Sequence, residues 1–150
     1  MRWIRGLLIV FLMTVPEVAW GQSCSVKATQ VNFGNYDSLK ASPLDATGEV
    51  TVTCDSGVSY TIKLDQGQNS GGSFQPRKMQ SSVGGNTLSY NLYRDSSRNE
   101  VWGDGTSNTF VRLTVGTGAN QSFTIYARIP PRQKIRAGPF NDTVTVTIEW

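Results

Sequence analysis

Residues 143–150 alternate without interruption: Val144, Val146, Ile148 and Trp150 fall on one side, and Thr143, Thr145, Thr147 and Glu149 on the other. A period of two belongs to a half-buried β-strand, because successive side chains leave a pleated strand on opposite faces. Such a strand either lies paired within a sheet or borders a gap in it. In the first case Trp150 ends a central strand, the common arrangement in ordinary sheets. In the second the chain carries an unpaired edge, which proteins usually blunt and which can take up a strand from another chain. The alternation fits both and by itself favours the paired strand.

The same period recurs along the chain. Cys24, Val26 and Ala28 begin a run that Val31 and Phe33 continue before Gly34-Asn35. Val50, Val52 and Cys54 alternate with threonines, and Tyr60, Ile62 and Leu64 follow. Leu88, Tyr90 and Leu92 form another run, as do Val111, Leu113 and Val115, and then Phe123, Ile125, Ala127 and Ile129. Turn clusters such as Asp55-Ser56-Gly57, Gly84-Gly85-Asn86 and Gly116-Thr117-Gly118 separate them. Short strands with one apolar face each predict an all-β, antiparallel sandwich in a single domain. Residues 66–85 are rich in Gly, Ser and Gln and read as a long excursion with a short ordered piece at residues 74–79. Residues 129–138 read as a connection between the last two strands.

The start of the chain bears on compartment. Arg2 and Arg5 precede an apolar stretch at residues 6–15, short for a bilayer span and followed by Pro16 and Glu17. Ala19-Trp20-Gly21 places small residues where a signal peptidase reads. A signal peptide over residues 1–21 is expected, leaving an exported mature domain over residues 22–150 with no transmembrane segment. The two cysteines of the chain, Cys24 and Cys54, both fall in the mature part. An even count in an exported chain predicts a disulfide. Closing a loop of about thirty residues is worth on the order of 3–4 kcal/mol. Without Cys-x-x-Cys or histidine, neither a redox nor a metal role is expected for the pair.

Composition narrows the chemistry. There is no histidine, which removes Ser-His-Asp and Cys-His machinery and histidine metal sites. No cofactor is expected. With Arg2, Arg5 and Glu17 set aside, the charge is near +2, without the clustering of a nucleic-acid binder. Asp95, Glu100 and Asp104 are the candidates for a glycosidase-like carboxylate pair or a calcium site. Asp95-Ser96-Ser97 and Asp104-Gly105 also read as turn formers, the favoured reading, so the chain is not expected to be an enzyme. Arg128, Arg132, Lys134 and Arg136 form the densest basic patch. It could hold an acidic glycan or a membrane surface; a solvated connection guarding an edge strand accounts for it equally and is preferred. Tyr93 and Trp102 could stack on sugar rings if exposed, although aromatics near strand ends usually belong to the core.

Several phrases together resemble the spore coat protein U domain family, which includes subunits of archaic chaperone–usher pili. They are Cys24 with Phe33-Gly34-Asn35-Tyr36, residues 48–54, Leu88-Ser89-Tyr90-Asn91-Leu92-Tyr93, and Val101-Trp102-Gly103-Asp104-Gly105-Thr106. Ala137-Gly138-Pro139-Phe140 then leads into residues 142–150. The order spans essentially the whole mature chain.

The resemblance implies an incomplete immunoglobulin-like antiparallel β-sandwich completed by a donor strand. A periplasmic chaperone first lends that strand, and a neighbouring pilus subunit delivered by an outer-membrane usher later replaces it. On this reading Val26, Val144, Val146, Ile148 and Trp150 line the open groove, and the odds on residues 143–150 shift towards an unpaired edge. Fibre-forming subunits carry a donor segment of a dozen or so residues ahead of the first strand. Here Gln22 and Ser23 separate the expected cleavage site from Cys24, a reach of roughly 7 Å. The expectation is therefore a non-catalytic surface-assembly subunit, periplasmic and then at the cell surface, that accepts a strand without giving one and so sits at a fibre terminus or tip. The alternative is a free-standing secreted glycan-binding or coat module with a complete sandwich.

Overall fold

The computed structural model describes residues 21–150; the expected signal peptide, apart from Gly21, lies outside them. Nine strands follow one another: β1 (Cys24–Ala28), β2 (Leu44–Cys54), β3 (Ser59–Leu64), β4 (Arg77–Ser81), β5 (Thr87–Tyr93), β6 (Arg112–Val115), β7 (Asn120–Ile129), β8 (Phe140–Asn141) and β9 (Val146–Glu149). They form a six-stranded sheet in the order β1-β2-β7-β5-β4-β8 and a three-stranded sheet in the order β6-β3-β9. Every strand pair is antiparallel. The described residues contain no helix, hence none long and apolar enough to cross a membrane. This is the expected all-β, immunoglobulin-like sandwich.

Alternation explains the core. Val50, Val52 and Cys54 of β2 pair in register across the large sheet with Phe123, Gln121 and Cys24 on the strands beside them. Ile125, Ala127 and Ile129 of β7 and Leu88, Tyr90 and Leu92 of β5 join the same face, and Tyr60, Ile62 and Leu64 of β3 pack against it. Burying each large apolar side chain contributes about 1.5–3 kcal/mol. Trp102 is fully buried among them, with its indole Nε1 donating to Ile62 O at 3.1 Å. That removes it as a sugar platform. Cys24 and Cys54 are disulfide-bonded across the β1–β2 ladder, at paired positions.

Several details depart from the alternation, among them the last run, where only Val146–Glu149 of residues 143–150 form a strand. β2 begins at Leu44 rather than Val50, and Val31 and Phe33 lie outside any strand. The ordered piece expected at residues 74–79 is β4, shifted to Arg77–Ser81. Inside it Arg77 is fully buried. Its guanidinium donates to Asp65 O (2.7 and 2.9 Å), Trp102 O (2.7 Å) and Asn91 Oδ1 (2.9 Å), stitching the long excursion onto β5. Burial lowers the Arg77 pKa to about 10, an effect that the fields of Tyr90, Asp65, Asp142 and Asp104 oppose.

A further departure is β6. Its register with β3 sets Arg112 opposite the buried Ile62 and Thr114 opposite the buried Tyr60. Leu113 and Val115 consequently face solvent, 71% and 50% exposed. Arg112 accounts for the inversion. Its guanidinium lies over the rings of Trp102 (5.5 Å) and Phe123 (5.3 Å) and donates to Arg94 O at 2.8 Å. A long stem with a flat cation closes that side of the sandwich as a leucine would not.

Candidate functional site

The two sheets differ in width, and the difference leaves part of the large sheet bare. Val26 pairs with Val52 and Ala28 with Val50, so both β1 side chains share the core-facing side of the ladder. Val52 is fully buried, yet Val26 is 38% exposed. On the opposite sheet Val146 pairs with Leu64 and Ile148 with Ile62. Leu64 and Ile62 are buried, whereas Val146 and Ile148 are half-buried. Both β1 and β9 are edge strands. Inward-facing residues on two facing edges thus lack cover.

An open cleft lies between these edges. A cavity of about 290 Å³ has residues 28–31 and Phe33 on one wall and residues 140–144 with Val146 on the other. Leu64, Met79, Tyr90, Leu92 and Ile125 form its floor. A second cavity of about 560 Å³ continues it past Val31, Phe33, Met79 and Phe140 towards Tyr36, Ile129 and Ile135. Local sequence builds the first wall. Thr29 adds one more rung against Glu49, donating its N–H to Glu49 O at 2.8 Å. Beyond it the chain leaves the edge and folds inward, and Phe33 meets Tyr90 edge-on at 6.2 Å between ring centroids.

The polar groups of the cleft are largely committed. The Asp142 carboxylate accepts from Tyr90 Oη (2.6 Å), Asn69 Nδ2 (2.8 Å) and Gln68 N (2.9 Å). Burial, and then the bond to Asp142, pushes the Tyr90 phenol far up, so it stays protonated and donating. The Tyr36 hydroxyl donates to Pro130 O at 2.9 Å and accepts from Gln133 N at 3.0 Å. An apolar floor between two walls can receive alternate side chains of an extended segment, the geometry of strand addition.

Of the predicted groove residues, Val144 and Val146 line the cleft. Ile148 packs partly against the core, and Val26 stands at the uncovered margin. Trp150 is 58% exposed, and its Nε1 donates to Gln22 O at 3.2 Å, linking the β9 and β1 ends. The apolar runs contain Ala28, Val31, Phe33 and Tyr90, but nothing in the alternation marks them, or Met79, as wall and floor of a cleft, because that role depends on which segments meet in the fold.

The other candidates are spread out. Asp95 caps a turn, its carboxylate accepting from Asn99 N (3.1 Å) and Glu100 N (2.9 Å). Glu100 pairs with Arg94 at 2.6 Å, and Asp104 accepts from Thr106 N (2.9 Å) and Oγ1 (2.6 Å). Among the described residues no group of three His, Cys, Asp or Glu could hold a metal ion. Arg128 grips Asp45 with two bonds, at 2.7 and 2.8 Å, whereas Arg132, Lys134 and Arg136 are exposed on the connection to β8. Tyr93 is half-buried.

Comparison with known proteins agrees with this architecture. The family profile described as Spore Coat Protein U domain matches residues 9–147. Protein U of Myxococcus xanthus is 31% identical over 143 aligned positions, taking in 87% of this chain and 79% of that protein. Among solved structures, the CsuC–CsuE chaperone–tip adhesion subunit pre-assembly complex, from archaic chaperone–usher Csu pili of Acinetobacter baumannii, superposes with a TM-score of 0.62 at 25% identity. That match covers 86% of this chain and 40% of the matched one, so the present chain spans less than half of that neighbour's length. With a profile match across nearly its whole length and a relative of this identity, the chain belongs to the spore coat protein U domain family.

Proposed function

We propose that the chain is an exported, non-catalytic pilus subunit of the chaperone–usher type, whose cleft accepts a strand from a partner. A periplasmic chaperone, an outer-membrane usher and a neighbouring subunit are its partners, and the periplasm and then the cell surface its location. Residues 1–21 act as signal peptide and residues 22–150 as the assembling domain. The observation that carries the reading is the mismatch across one ladder: Val52 buried, and Val26, on the same face, open to solvent. Each inward apolar side chain left uncovered forgoes up to about 1.5–3 kcal/mol, which an inserted strand would recover. The likeness to a subunit captured with its chaperone supports the same reading.

Terminal placement is part of the proposal. Cleavage after Gly21 leaves two residues ahead of Cys24, spanning about 7 Å, too short to fill a neighbour's cleft. Sequencing the mature N-terminus checks this, and a long alternating leader there would sink it. The groove itself is tested by adding a synthetic donor peptide to the purified mature chain. A ligand bound only by the folded state raises its melting temperature, by an amount that grows with peptide concentration. An unchanged melting temperature at saturating peptide would count against the groove.

A further inference from the structure

Three cations on the segment that sends Ile135 into the wider cavity, Arg132, Lys134 and Arg136, make no ion pair among the described residues. All three are exposed, while Gln133 and Ile135 between them are half-buried. The alternation arises because the connection is pinned from inside. The Gln133 side-chain amide accepts from Ser89 N and donates to Ser89 O, each at 2.8 Å, standing where a neighbouring strand would pair with β5. Ile135 then lines the cavity alongside Ile129 and Phe140. With the inner side chains fastened, the basic ones are left pointing outward.

Two further properties mark this segment. The backbone N–H and C=O groups of Lys134, Ile135 and Arg136 make no hydrogen bond among the described residues, so the segment offers a free edge. Its charge is also uncompensated. Asp37 turns its carboxylate to Leu39 N at 2.9 Å, Asp142 is filled by its three donors, and Asp45 is held by Arg128. Alternate residues of an extended chain stand about 7 Å apart, inside the roughly 8 Å screening length at physiological salt, so neighbouring cations reinforce one another.

We propose that this end of the cleft selects a donor strand bearing carboxylates at alternate positions, an inference that rests on the strand-accepting reading above. Arg132 opens the segment with a left-handed backbone (φ 57°), and exposed Lys134 and Arg136 alternate with half-buried Ile135 beyond it; an extended partner laid alongside turns its acidic side chains to these cations while its apolar side chains enter the cavity. Its backbone supplies the hydrogen bonds that Lys134, Ile135 and Arg136 lack. A bilayer surface has neither the repeat nor the backbone groups.

Two synthetic peptides test this on the purified mature chain. Both carry Val and Ile at alternate positions; one has Glu and the other Gln at the three intervening positions facing the cations. The Glu peptide is expected to bind about tenfold more tightly, from three exposed charge pairs acting together, with the advantage shrinking as salt rises. The triple variant Arg132→Gln, Lys134→Gln, Arg136→Gln should bind both peptides alike, and Arg132→Lys with Arg136→Lys should keep the preference. Equal binding of both peptides by the unmodified chain overturns the charge selection and leaves the groove standing. Binding of neither overturns the groove reading and this inference with it. Capture by phosphatidylcholine–phosphatidylglycerol vesicles without any preference for the Glu peptide overturns it in favour of a membrane surface.

Discussion

Val31 lies directly against Gly48: a methyl group at Gly48 would come within 2.6 Å of Val31 Cγ2. Gly48 shares the inward face of β2 with Val50 and Val52, so the missing side chain is what lets residues 28–33 fold over the sheet as a groove wall. Gly48→Ala should therefore cost about 1–3 kcal/mol through overpacking. Adding Val31→Ala should restore the room, making the double variant more stable than the two single losses predict. Urea unfolding of the four chains gives the coupling, and strict additivity would mean that the contact carries no energy.

The two faces of β9 should respond differently to charge. Val146 lines the cleft beside buried Leu64, whereas Thr147 is exposed opposite Lys63. Val146→Asp places a carboxylate on an apolar wall and should abolish binding of a donor peptide. Thr147→Asp should leave binding within about threefold of the unmodified chain, because exposed positions tolerate such changes to within ~0.5 kcal/mol. Comparable losses from both would show that the faces are not distinguished in the folded protein.

Strand β6 makes a prediction opposite to its alternation. Leu113→Ser should change stability by no more than ~0.5 kcal/mol, since Leu113 is 71% exposed. Arg112→Ala removes the packing over Trp102 and Phe123 and the bond to Arg94 O, and should cost several times more. Thermal unfolding of the two variants decides it; a larger loss at Leu113 would restore the face that the alternation suggested.

The Asp45–Arg128 pair predicts how stability varies with acid. The hydrogen bonds from Arg128, opposed by a little burial and helped by the charges of Arg128 and Arg98, hold the Asp45 carboxyl below its usual 3.8. A depressed carboxyl contributes stability above its unfolded pKa and loses it as pH falls through the folded one. Asp45→Asn should lower stability at neutral pH and flatten the decline below about pH 4. An unaltered acid limb in chemical unfolding across that range would show the pair to be energetically silent.

Much of the sandwich was legible along the chain because a period of two is a local property. The strands around Val52, Ile62, Tyr90 and Ile125 announce themselves by alternation, and Cys24 and Cys54 by count and compartment. The front half of β2 was not legible, since Ala46 and Gly48 are small where a core residue would be large. Nor was Arg77, a charged residue in a Gly- and Ser-rich excursion, whose acceptors on Asp65, Asn91 and Trp102 come together only when three distant segments meet.

The sequence by itself determined that the chain is built of short amphipathic strands, where most of their centres lie, and to which family the chain belongs. Only the tertiary structure decided which face of β6 turns inward and which strands are left as edges. Pairing joins residues far apart in the chain, and no local pattern records whether a second neighbour exists. Val26 and Val52 read alike in sequence, yet one is sealed and the other open, because cover is a property of the opposite sheet and that sheet ends at β9.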